Sequence, residues 1–207
     1  MSDPGARFAH AIAAVDAANA DDPQVVEVQG QRLPAALVHG QRMSATLARL
    51  DRDPSECLRV AARGQHIERW KVPRRTYPAG RAGYLDWRRH QRRFQAERLG
   101  EIMAAAGYGA DDIAQVGGLI RKERLGRDGE AQTLEDVIYV VFFEHYLKGF
   151  VARVEEDKLA DILARAWRRM SEHGQRHVRR LALPPNVPRL LERGLARMPP
   201  GHPVSVG

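Results

Sequence analysis

Two histidines and one aspartate near the ends of predicted helices are of the types that bind metal ions. His39 lies near the start of one predicted helix, His66 near the end of the next, and Asp136 in the first turn of a later one. Imidazole nitrogens and a carboxylate are ligands that divalent metals accept. A metal held by such a set would lower the pKa of a bound water toward 7 and so activate it for hydrolysis. The sequence therefore predicts a candidate divalent-metal site at His39, His66 and Asp136.

Each of these residues also has a structural interpretation. Asp136 is a capping carboxylate paired with an arginine if it only stabilises its helix. His66 continues the stripe Leu58–Ala62–His66 and is then a buried histidine with satisfied hydrogen bonds. The spacing does not decide between the two interpretations, because the three residues are distant in sequence.

Four basic residues accompany the candidate site. Arg42 follows His39 by one helical turn, Arg69 follows His66 by three residues, and Arg121 and Lys122 end a further predicted helix. A guanidinium binds phosphate through two donors at once. These four side chains are predicted to surround a phosphate-bearing ligand, unless they are solvated helix ends.

The charge balance bears on the partners. The chain has 33 Lys and Arg against 26 Asp and Glu, a net charge of +7. This excess indicates either a phosphate or nucleic-acid surface or a genome that favours Ala, Arg and Gly. Because aromatic residues make up only 6%, stacking partners for bases are few, which predicts weak and non-specific nucleic-acid binding.

Cysteine content and hydropathy exclude other classes. A single cysteine, Cys57, excludes a disulfide framework and a multi-cysteine zinc site. No apolar run approaches the roughly 18 residues of a membrane span. The N-terminal segment lacks the pattern of a signal peptide. The expectation is a cytoplasmic protein without a membrane segment.

Hydrophobic periodicity predicts an all-α, single-domain bundle of about seven to nine helices, with at most a tiny strand pair near 25–33. The domain is expected over 6–197, with disordered ends at 1–5 and 198–207. A helix over 133–149 is apolar on nearly all sides, which is typical of a central core helix. The other predicted helices are 6–20, 35–50, 54 to about 67–69, 83–106, 111–123, 155–170, 171–181 and 187–197.

Five segments carry a family resemblance: QRMSATLARL, AARGQHIERWKVPRRTYP, YLDWRRHQRRFQAERLGEIM, LIRKERL and LEDVIYVVFFEHYL. In this order they resemble the domain-of-unknown-function 4202 family, a name that implies no activity. The arrangement also looks like a divergent member of the HD superfamily of helical, metal-dependent phosphohydrolases. That likeness implies ligand roles for His39, His66 and Asp136. Ile67 stands where the aspartate of the adjacent His-Asp pair belongs, so the motif is degenerate.

Two functions follow as hypotheses. The first is an HD-like protein that hydrolyses or binds a phosphate-bearing small molecule, with a divalent metal in the enzymatic version. The alternative is a non-enzymatic helical module that binds RNA or a protein partner through its basic surface.

Overall fold

The computed structural model describes residues 4–199, which fold into ten α-helices and one β-hairpin. The hairpin pairs β1 (Val25–Val28) with β2 (Gln31–Pro34) in antiparallel register. The predicted all-α bundle with a tiny strand pair near 25–33 is confirmed. The helices are α1 (Pro4–Ala20), α2 (Ala35–Leu50), α3 (Glu56–Arg63), α4 (Gly80–Ala105), α5 (Ala110–Arg121), α6 (Gly129–Val141), α7 (Leu147–Val151), α8 (Glu156–Arg169), α9 (Glu172–Arg179) and α10 (Val187–Arg197).

The described part of the chain has ten helices where seven to nine were predicted, because the central helix is divided. A π-helical turn, Phe142–Tyr146, separates α6 from α7 within the segment predicted as one helix over 133–149. The helix also begins earlier than predicted. Asp128 caps it by accepting from the amides of Glu130 and Ala131, so Thr133 is not its first residue.

The helix that was predicted to reach residues 67–69 ends sooner. Gly64 is the C-cap of α3, and residues 64–68 form turns. A short 3₁₀-helix, Arg69–Lys71, follows. His66 therefore lies in a turn after α3 and not on the last turn of the helix.

The core surrounds α6. One group of buried side chains joins α6 to α1, α2, α3, α4 and α5, and includes Val137 and Val141. A second group joins its other side and the π turn to α8, α9 and α10, and includes Val140 and Phe143. The central position predicted for this helix follows from its apolar residues on both sides.

The predicted disordered ends fall largely outside the described residues, which exclude 1–3 and 200–207. Residues 4 and 5 belong to α1. Across residues 4–199, none of the helices combines the length and hydrophobicity that a bilayer span requires.

Candidate functional site

The two histidines singled out in the sequence lie against each other. The ring centroids of His39 and His66 are 4.1 Å apart, and their planes are inclined by 19°, so the rings stack. Both residues are partly buried. The stacked imidazoles thus connect α2, which carries His39, to the turn after α3, which carries His66.

Close packing of backbones makes this approach possible. A Cβ on Gly40 would lie 2.7 Å from the carbonyl oxygen of Arg63, so only glycine lets α2 approach the end of α3 this closely. A Cβ on Gly64 would overlap the side chain of Leu99 on α4. The two glycines fix the turn that carries His66 between α2 and α4.

Hydrogen bonds define the protonation of both rings. Tyr146 Oη lies 3.0 Å from Nδ1 of His39, and Gln65 Oε1 lies 3.1 Å from Nε2. The amide oxygen can only accept, so His39 carries its proton on Nε2, and Nδ1 accepts from the tyrosine. Arg69 Nη1 donates to Nε2 of His66 over 3.1 Å. His66 therefore carries its proton on Nδ1.

Both imidazoles are held neutral. Burial lowers the pKa of His39 to about 4, against a smaller opposing effect of its hydrogen bond to Gln65. Burial also lowers the pKa of His66 well below its usual value, and the charges of Arg69, Arg88 and Lys122 act in the same direction. At neutral pH the pair carries no charge.

The π turn explains how Tyr146 reaches His39. Phe142–Tyr146 adds a residue to the helical turn and so rotates the residues that follow relative to α6. Arg42 then covers the Tyr146 ring, with its Cζ 5.4 Å from the ring centroid. Such π turns occur frequently at functional sites, and this one supplies one hydrogen bond to the histidine pair.

Asp136 has a structural task. It is buried, 3% exposed, and it lies in the middle of α6 and not in the first turn as predicted. Its Oδ1 accepts from the amide of Ser171 at 2.8 Å and from Gln132 Nε2 at 3.1 Å, and the Ser171 hydroxyl donates to Oδ2. The carboxylate therefore ties α6 to the N-cap residue of α9, and it makes no hydrogen bond with His66.

The predicted metal set does not fit this arrangement. Each histidine already uses its one lone pair to accept a hydrogen bond, and the guanidinium of Arg69 lies beside His66. Asp136 uses both oxygens elsewhere. Over residues 4–199, no three His, Cys, Asp or Glu side chains group closely enough to hold a metal ion. A divalent metal at His39, His66 and Asp136 stays a prediction that these contacts do not support.

Five cationic side chains lie within electrostatic reach of one another, three of them also within reach of His66, and we refer to them as the basic cluster. They come from the 3₁₀-helix after α3, from α4, from the end of α5 and from the end of α8: Arg69, Arg88, Arg92, Lys122 and Arg169. Their charges act on one another. Burial and then Arg88 lower the pKa of Arg69 to about 10, and burial, Arg88 and Arg169 lower the pKa of Arg92.

One carboxylate faces this cluster. The side chain of Glu135, 1% exposed, forms ion pairs with Lys122 and, at 3.5 Å, with Arg169. Arg69, Arg88 and Arg92 form no ion pair with any described carboxylate, and the buried Nε of Arg92 has no hydrogen-bond partner there. The cluster therefore retains an excess of positive charge in a partly buried position.

Burial and charge also act on Lys122. Burial lowers its pKa to about 8, although Glu135 acts in the opposite direction. Its side chain is only 9% exposed. The lysine is thus an internal cation whose charge depends on the neighbouring carboxylate.

The structure places the four predicted phosphate-binding residues in three different locations. Arg69 and Lys122 belong to the basic cluster, and Arg42 lies on the His39 side of the histidine pair. Arg121 instead pairs with Glu123 at 2.6 Å on the surface, and none of its described contacts is with the cluster. Arg121 is therefore a solvated helix end, which was the alternative interpretation of these four basic residues.

Several residues of the site carried little signal in the sequence. Arg88 and Arg92 lie four residues apart on α4, a spacing that places two side chains on one face of a helix. That spacing was the available clue. No local sequence pattern indicates the other residues of the site, because their role depends on which helices meet: Glu135, Arg169, Gln65 and Tyr146.

One comparison with known proteins is positive. The family model described as "Domain of unknown function (DUF4202)" matches residues 9–191, most of the chain. The chain belongs to this family. The DUF4202 match spans α2 to α8 in full, and so covers all residues of the basic cluster and the histidine pair. No curated protein and no solved structure matches the chain. The likeness to the HD superfamily stays a resemblance without support from these comparisons.

The histidine pair predicts a specific acid sensitivity. His39 has a folded-state pKa of about 4, below its unfolded value of about 6.5, so the unfolded state binds more protons between these values. Stability should fall as the pH drops from about 6.5 to about 4, by roughly 3 kcal/mol from His39 alone. His66 acts in the same direction.

Urea unfolding at pH 7 and pH 5 measures this effect. The wild type should lose more free energy of unfolding between the two values than the double variant His39→Gln/His66→Gln, in which the carboxylates still titrate. Equal losses in the two proteins would show that the imidazoles are already protonated, or exposed, in the folded state.

Proposed function

We propose that this member of the DUF4202 family binds a phosphate-bearing small molecule at the basic cluster. The observation that supports the proposal most strongly is the charge of Arg69, Arg88 and Arg92, which form no ion pair with any described carboxylate, in a partly buried position. Like charges held together destabilise a fold unless an anion offsets them. A phosphate group supplies the charge and the acceptor oxygens that guanidinium groups recognise.

The histidine pair adds a neutral donor to this site. Nδ1–H of His66 has no hydrogen-bond partner among the described residues, whereas Nε2 of the same ring accepts from Arg69 of the basic cluster. A neutral N–H beside cations suits a phosphoryl oxygen. The same tautomers favour binding over hydrolysis, since neither ring has a free lone pair with which to accept a proton from water.

Calorimetric titration with pyrophosphate tests the proposal. The double variant Arg88→Gln/Arg92→Gln removes two cations of the cluster, and we expect its affinity to fall by at least about tenfold, since hydrogen bonds to charged groups contribute roughly 1.5–3 kcal/mol each. The matched control is Arg89→Gln/Arg93→Gln on the same helix, whose side chains are 74% and 67% exposed.

The control should bind pyrophosphate like the wild type. If both double variants lose affinity equally, binding follows net charge and not the cluster. If the wild type binds only long RNA, with a steep salt dependence, the basic surface acts through counterion release and the small-molecule proposal fails.

A further inference from the structure

An exposed aromatic ring lies at the edge of the basic cluster. Tyr84, in the first turns of α4, is 46% exposed, and Tyr84 and Val25 are the two large hydrophobic residues with this exposure in residues 4–199. A tyrosine ring at the surface leaves one face without a packing partner. Its position beside the cations, and not merely its exposure, makes it informative.

A chain of contacts leads from Tyr84 to the histidine pair. The Tyr84 and Trp87 ring centroids are 5.8 Å apart, and the Arg69 guanidinium lies 4.8 Å from the centroid of the Trp87 ring. Arg69 in turn bonds to His66. Ionisation of the Tyr84 phenol acts to raise the pKa of Arg69 and of Arg92, against the larger effect of burial, so its oxygen lies within electrostatic reach of both cations.

Hydrogen bonds hold the residues of this series of contacts against α4. Trp87 is 8% exposed, and its Nε1 donates to the carbonyl of Val72 at 2.9 Å. Gln91 Nε2 donates to the carbonyls of Arg69 and Val72, each at 2.9 Å. These bonds hold the 3₁₀-helix that carries Arg69 against α4, so the backbone at Arg69 keeps a fixed position relative to the helix that carries Tyr84, Arg88 and Arg92.

From this geometry we infer that the ligand of the basic cluster is a nucleoside phosphate, whose base stacks on Tyr84 while its phosphate lies among Arg69, Arg88 and Arg92. The inference rests on the proposed function. Tyrosine stacks on the π-face of any base, whereas a phosphate without a ring would leave Tyr84 unused. The Tyr84 ring is inclined by 49° to the Trp87 ring and is 46% exposed, so part of its surface is open for a base to cover.

Adenosine 5′-monophosphate and ribose 5-phosphate form the test pair, because they carry the same phosphoryl group and differ only by the base. In calorimetric titrations the nucleotide should bind the wild type about tenfold more tightly, as expected for one stacked base. Tyr84→Ala should abolish this preference and leave the affinity for ribose 5-phosphate unchanged. Tyr84→Phe keeps the ring and should retain the preference.

The outcomes separate the two proposals. Equal affinities of the wild type for the two compounds would overturn the nucleoside inference and leave phosphate binding intact. If the wild type binds neither pyrophosphate nor either of the two compounds, the proposed function itself is wrong. Binding restricted to RNA oligomers would show that the tyrosine serves a polynucleotide surface, and it would contradict both.

Discussion

Replacing Val141 with aspartate is expected to unfold the protein. Val141 is fully buried at the end of α6, in the group of side chains that joins this helix to α1 through α5. An unpaired carboxylate at this position costs several kcal/mol. The whole stability of a domain is about 5–15 kcal/mol. Far-UV circular dichroism and thermal denaturation should show loss of the cooperative transition.

Val25→Asp is the matched control, since Val25 is 46% exposed on the hairpin. It should melt close to the wild type. If Val141→Asp melted within a few degrees of Val25→Asp, α6 would not be the centre of the core.

Glu135→Gln should be strongly destabilising, because it leaves two internal cations without their carboxylate. Lys122 and Arg169 are 9% and 19% exposed, and Glu135 is the anion that pairs with both. Breaking a buried ion pair by removing one partner costs about 3–5 kcal/mol. Urea unfolding measures the loss. Phosphate buffer should recover part of it relative to chloride at equal ionic strength, because phosphate then supplies the missing anion.

Glu97→Gln provides the comparison. Glu97 pairs with Arg93 at 3.7 Å on the surface of α4, and its side chain is 64% exposed, so its loss should cost less than about 1 kcal/mol. Equal stabilities of the two variants would show that Glu135 does not compensate the cluster.

Local sequence signals predicted the helices well and their ends less well. Residues 35–50 and 187–197 coincide with α2 and α10, because a proline marks the start of each: Pro34 precedes α2, and α10 has Pro188 in its first turn. The end of α3 was misplaced by several residues. Its apolar stripe continues to His66, whereas the helix ends at Arg63 with Gly64 as its C-cap, at a position where Leu99 of α4 leaves no room for a side chain. Such a contact between distant segments leaves no periodic signal.

In the candidate site too, local sequence signals indicated some residues but not the contacts between distant segments. His39 and His66 were singled out by their positions near helix ends, and the structure places their rings in contact. Asp136 was joined to them because a carboxylate suits a metal site, but its partners are Gln132 and Ser171, and Ser171 lies 35 residues later along the chain. Which buried groups meet depends on how the helices cross, and sequence spacing does not contain that information.

Thermal denaturation with and without pyrophosphate tests the central claim, that the basic cluster is held against its own repulsion for an anionic ligand. Without ligand, Arg88→Gln/Arg92→Gln should be at least as stable as Arg89→Gln/Arg93→Gln, since it relieves repulsion within the cluster. With pyrophosphate, Tm should rise for the wild type and the control, and it should rise clearly less for Arg88→Gln/Arg92→Gln, which binds the ligand more weakly. A variant at Arg88 and Arg92 that is less stable than the control without ligand, and is stabilised by pyrophosphate as much as the wild type, would contradict the claim.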